Sequence, residues 1–161
     1  MNSIIKVLAV FMLLMCFSQL ASADKVDDKV AVQLLMKKHL DAVSNKDLKT
    51  LAATLPPTGE MQLILPASEI TATAKEFLGF HENWFKNPDW TFETKILNTK
   101  VGQKLAMAVV EIVYREPLRG GKPYFNRMTV SYVLEKIDGQ WYVIKDHASS
   151  VEKSTDKQQS E

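Results

Sequence analysis

The chain has 161 residues, 46% of them hydrophobic and 24% charged, with 20 Lys+Arg against 19 Asp+Glu. That balance suits one globular domain and excludes a collagen-like repeat, a long disordered protein and, with a single cysteine, a disulfide-stapled miniprotein. It also lacks the clustered basic excess of a dedicated nucleic-acid binder, so no nucleic-acid partner is expected.

Residues 1–23 differ from the rest. They carry one charge, Lys6, then the apolar run Val7 to Phe17, and close on Ala21-Ser22-Ala23 before Asp24. A charged start, a short apolar centre and a small-residue exit predict a secretory signal peptide, hence an exported protein, periplasmic or secreted. The run is shorter than the roughly 20 residues of a spanning helix, so no membrane attachment is expected after cleavage. Cys16, the sole cysteine, leaves with the signal. The remaining 138 residues hold 19 basic and 19 acidic side chains. Such a neutral, thiol-free domain must be held by its core alone.

In the mature chain, Val32, Leu35, Met36, Leu40 and Val43 fall at three-and-four spacing, which predicts a helix over 27–45. Asp47 can cap a second, short helix that Pro56-Pro57 stops. Met61 to Leu65 reads as a short extended segment. A third helix is expected from about Thr73 to Lys86, opened by a Thr73-x-x-Glu76 capping box and ended by Asn87-Pro88. Beyond Pro88 the period becomes two. Four strands are expected, over 90–99, 104–116, 126–136 and 140–149, joined at Lys100–Gln103, Gly120-Gly121 and Asp138-Gly139. The polar stretch 151–161 reads as a solvated tail after a domain spanning 24–150. Helices segregated before an antiparallel meander make an α+β domain, and a long curved sheet wrapped around them would leave a conical cavity.

Candidate site residues follow from these patterns. Phe77, Phe80, His81 and Trp84 form one stripe of the third helix, so His81 could meet a pocket as proton carrier or hydrogen-bond group. Strict alternation on the last strand puts Trp141, Val143, Lys145, His147 and Ser149 on one face and Tyr142, Ile144, Asp146 and Ala148 on the other. Arg127 shares a strand face with Thr129 and Ser131 and would add a polar lining if that face is concave. The expected pocket is therefore Phe77, His81, Trp84, Tyr114, Arg127, Tyr132 and His147, with His81 and His147 as candidate bases and Tyr114 or Tyr132 as donor. His39, His81 and His147 lack paired ligand spacing, and no Gly-rich loop matches a phosphate cradle, so neither metal nor cofactor is expected.

The order of elements, with Trp141-Tyr-Val-Ile-Lys-Asp-His-Ala-Ser149 after an Asp-Gly hairpin, resembles the SnoaL-like branch (DUF4440 type) of the NTF2-like superfamily. The resemblance spans roughly 28–150. It implies three N-terminal helices on a curved antiparallel sheet, a pocket between them, and frequent homodimerisation through the sheet. Isomerase-type members of that superfamily place a carboxylate base in the short strand after the second helix and a Tyr in the first helix. Here that strand is Met61-Gln-Leu-Ile-Leu-Pro66, and the first helix holds no Tyr. The leading expectation is thus a domain binding a small, partly apolar molecule and not a catalyst. The alternatives are an isomerase, dehydratase or cyclase built on a pocket histidine, and a homodimeric assembly domain with Glu111 at its interface.

Overall fold

The computed structural model describes residues 27–154. The expected signal peptide, 1–23, and the end of the polar tail lie outside them. Helix α1 covers 27–44 and α2 Leu48–Ala52; the hairpin β1 (Glu60–Ile64) and β2 (Ile70–Thr73) leads into α3 (Ala74–Phe85). Four long strands follow: β3 (Thr91–Val101), β4 (Leu105–Arg119), β5 (Lys122–Ile137) and β6 (Gln140–Lys153).

Local chemistry accounts for most boundaries. The Thr73 hydroxyl accepts from Glu76 N while the Glu76 carboxylate accepts from Thr73 N, so the capping box that opens α3 is complete. Asp138 and Gly139 both adopt positive φ, 49° and 83°, which closes the tight β5–β6 hairpin. The far end of α3 is pinned to β3 by aromatics. Trp84 stacks on Trp90 at 4.2 Å, and the Trp90 indole donates to Trp84 O at 3.1 Å. Lys46 lies over the Trp90 ring at 3.8 Å and ties the α1–α2 turn to the same point.

The sheet has six strands in the order β2-β1-β6-β5-β4-β3. Strands β3 to β6 form the expected antiparallel meander. The sheet is nevertheless mixed, because β1 pairs in parallel with β6, Leu63 opposite Asp146. Strand β2 was not expected: its Ile-Thr-Ala-Thr is largely exposed, with no alternation to announce it. At the other end, β6 runs to Lys153 and takes in residues assigned above to the tail.

All three helices pack on one face of this sheet. Val32, Met36, Leu40 and Val43 of α1, Leu51 of α2 and Phe77 of α3 meet Ala106, Ala108, Val110 and Ile112 of β4, Val130, Tyr132 and Leu134 of β5, and Val143 of β6. The outer face carries Leu105, Met107, Arg127, Thr129 and Ser131. There Arg127 lies 3.6 Å from Glu111 and 3.4 Å from Glu152. Leu134→Ala is expected to destabilise the protein by about 3 kcal/mol, whereas Leu105→Ala, on the outer face, stays within about 0.5 kcal/mol; urea unfolding of both variants checks the assignment of faces.

Candidate functional site

Helices α1 and α3 do not fill the whole concave face. Between them and the sheet lies a cavity of about 810 Å³. Its inner end is walled by the buried residues His39, Tyr132 and Asp146, its middle by Ile112, Val130, Met128, Ala148, Phe92 and Trp84. The exposed residues Ala67, Glu69, Asn87 and Arg119 mark the mouth.

Asp146 reaches the inner end because β6 is bulged. Val133 pairs with Lys145 but Leu134 with Val143, which leaves Ile144 as an extra residue. Alternation restarts there. Trp141 and Val143 point inward before the bulge, and Asp146 and Ala148 point inward after it. This corrects the faces expected above: His147 is exposed on the outer side, and Asp146 takes the inward place.

Four of the expected pocket residues, His81, Trp84, Tyr114 and Tyr132, line the cavity. Three do not. Phe77 is wholly buried in the core beneath His81, its ring centroid 4.1 Å from the imidazole. Arg127 sits on the outer face between Glu111 and Glu152, because the inward set on β5 is the even-numbered one. His147 follows the bulge outward.

Both inner histidines have assignable tautomers. The single hydroxyl proton of Thr54 goes to Leu51 O at 2.6 Å, so the 2.7 Å contact between Thr54 Oγ1 and His39 Nδ1 is donated by the ring. His81 Nδ1 donates to Phe77 O at 2.8 Å, a carbonyl that can only accept. Each Nε2 is therefore a bare acceptor, with no hydrogen-bond partner among the described residues. Burial keeps both rings neutral, lowering His39 to about 3 and His81 to about 4.

Asp146 has the opposite character. Among the described residues no cation is paired with it and its Oδ1 is buried without a partner; burial raises its carboxyl to about 8. At neutral pH it is mostly a protonated acid, hence a donor. Burial, and next the charge of Asp146, also raise Tyr132, its cross-strand neighbour, well above the usual phenol value. The inner end thus offers two donors, Asp146 and Tyr132, and two acceptors, His39 and His81.

The mouth satisfies itself. Glu116 accepts from the Tyr114 hydroxyl and from Arg119, and the Arg119 guanidinium lies 3.6 Å over the Tyr124 ring. The Trp84 indole contributes a long contact, 3.5 Å, to the Tyr114 oxygen.

Sequence reasoning missed His39, Asp146 and Asn126 as site residues. His39 was legible, since it lies three residues after Met36 on the inward stripe of α1. Asn126 extends the Met128-Val130-Tyr132 alternation by one step. Asp146 carried no such signal, because a bulge leaves none in the local pattern.

Comparison with known proteins places this geometry. The profile of the SnoaL-like domain family matches residues 32–152. Among solved structures, a hexachlorocyclohexane dehydrochlorinase, LinA-type3 of Novosphingobium barchaimii, is 15% identical with a TM-score of 0.72, covering 83% of this chain and 92% of its own. A candidate dehydratase of the NTF2-like family from Streptomyces avermitilis is 16% identical with a TM-score of 0.67, covering 78% and 98%. An uncharacterised Caulobacter vibrioides protein with a cystatin-like fold is also 16% identical, with a TM-score of 0.68, covering 78% and 91%. At these identities the likeness is one of fold. No curated protein matches the sequence.

These burial-driven shifts imply a stability profile. In the folded state His39 and His81 stay neutral where the unfolded chain protonates them, so stability falls as pH drops below about 6.5. Asp146 binds its proton more tightly when folded, so its contribution is lost as pH rises from about 4 to about 8. Between about 4 and 6.5 the two histidines outweigh the one carboxyl, and above 6.5 the carboxyl acts alone. Unfolding free energy measured against pH should therefore peak near pH 6.5, and Asp146→Asn should abolish the decline between about 6.5 and 8.

Proposed function

The chain belongs to the SnoaL-like family, and from that premise we propose that it is an exported pocket protein that binds a small, partly apolar, uncharged molecule. The observation that carries this reading is the cavity of about 810 Å³ with unpaired polar groups at its inner end and an apolar waist. Lysine and arginine enter the lining only through Arg119 and Lys153, on the mouth side. At the inner end an anionic head would lose its hydration without meeting a Lys or Arg, and a cationic head would require the buried Asp146 to ionise, both of which are costly. A carbonyl or hydroxyl there meets donors and acceptors already in place. Export rests on the charge and hydropathy pattern of residues 1–23.

Protein recovered from outside the cytoplasm should carry such a molecule, detected by mass spectrometry of an organic extract. Ala148→Trp, which fills the waist, should release it, and Arg127→Ala, on the outer face, should retain it. Equal ligand content in the two variants would overturn the assignment of the cavity.

A second reading draws on one specific feature, that burial raises the Asp146 carboxyl to about 8 beside groups of different acidity. In that reading the protein transfers a proton at a carbon next to a carbonyl. Asp146 and Tyr132 donate to the carbonyl oxygen, and Nε2 of His39 takes the proton from carbon. Deuterium uptake from D2O into the bound ligand, followed by NMR, should fall about 100-fold in Asp146→Leu and stay unchanged in His147→Ala. Absence of uptake in the unaltered protein leaves binding as the function.

A further inference from the structure

The ladder register lays out the concave face as successive rows. The innermost row is Ala108 of β4, Tyr132 of β5 and Asp146 of β6; the next is Val110, Val130 and Ala148. Then come Ile112, Met128 and Ser150, and last, towards the mouth, Tyr114, Asn126 and Lys153. A second bulge, at Val151, keeps the outermost row in phase. That face is polar at the inner end, almost wholly apolar across two rows, and polar again at the outer end.

Three side-chain oxygens are buried without a hydrogen-bond partner among the described residues: Thr71 Oγ1, Asn126 Oδ1 and Asp146 Oδ1. Two of the three belong to residues of the cavity wall, one in each polar row. Within the Asn126 carboxamide it is the oxygen that lies buried and unpaired. The neighbouring Tyr114 does not relieve that oxygen, since its one hydroxyl proton goes to Glu116. An unpaired buried amide oxygen is destabilising unless something else completes it. From Tyr132 to Asn126 is six residues along one strand, about 20 Å at the usual rise.

We propose that the ligand is elongated and two-ended: an oxygen-bearing head against Asp146 and Tyr132, an apolar body over Val130, Met128 and Ile112, and a second uncharged hydrogen-bonding group on the Asn126 carboxamide. This rests on the pocket reading above and names its ligand class. Asn126 is then a specificity-determining residue that selects molecules with a distal hydroxyl or amide over purely apolar tails. Its amide can turn to donate or accept, so it tolerates either polarity but not its absence.

The test uses two probes of one length. Extended dodecane-1,12-diol holds its hydroxyls roughly 16 Å apart, and a hydrogen bond of about 2.8 Å at each end completes the span between the two polar rows; dodecan-1-ol lacks the second hydroxyl. Binding is read by the fluorescence of Trp84 and by calorimetry. Asn126→Leu should weaken the diol about tenfold and leave the alcohol unchanged or tighter, while Asn126→Ser, which keeps a polar group, should restore part of the loss. Unaltered melting temperatures of both variants show that the fold is intact. If both probes bind and respond alike to Asn126→Leu, the two-ended ligand is overturned and the pocket reading stands. If neither probe binds the unaltered protein, both are overturned.

Discussion

Between Val143 and Lys145 the last strand carries a residue with no counterpart on β5, and every inward-facing group beyond it depends on that slip. In an unbroken strand the side-chain period is two, so one inserted residue exchanges the faces of everything downstream. Here the exchange removes His147 from the interior and brings in Asp146 and Ala148. Without the slip Lys145 would stand opposite Tyr132, where a carboxyl now stands, and His147 opposite Val130, in the place of Ala148. The polar character of the cavity's inner end, an acid flanked by a phenol, thus follows from one residue's worth of register.

The polar groups around that buried acid are held in fixed orientations. Thr54 shows how. Its hydroxyl joins α1 to α2 through His39 and Leu51 O, and its carbonyl accepts from Val143 N at 2.9 Å, which ties both helices to β6. One buried residue sets the tautomer of a cavity histidine and docks the strand that carries the carboxyl. Neither inner imidazole has a proton to spare on its cavity-facing nitrogen. The donors come from the sheet and the acceptors from the helices, so a ligand between the two layers meets opposite polarities on opposite walls.

How much of this was legible in the sequence depends on the range of the interaction. Features written in two to four adjacent residues read directly: the Thr73–Glu76 box, the Asp138-Gly139 hairpin, and the alternation of Met128, Val130, Tyr132 and Leu134. They placed the helices, the meander and four of the cavity residues. Features that need a distant partner did not read. Strand β2 exists because Ile64 and Glu60 offer it an edge, and its own exposed residues carry no period. The bulges in β6 are defined against β5, so plain alternation misassigned His147. Arg127 was drawn to the site by its polar neighbours, though Glu111 and Glu152 on the outer face supply its partners.

The parallel contact between β1 and β6 has a consequence for the order of events in synthesis. Strand β1 is made early, yet Gln62, Leu63 and Ile64 find their places only beside Lys145, Asp146 and His147, near the end of the chain. Until those residues emerge, the β1–β2 hairpin has no sheet to join, and Leu63 and Leu65 have no cavity to wall. Such long-range closure is slow compared with helix formation and cannot be completed by a growing chain. The cavity, whose inner row spans the last strand, is therefore complete only once β6 has docked beside both β5 and β1.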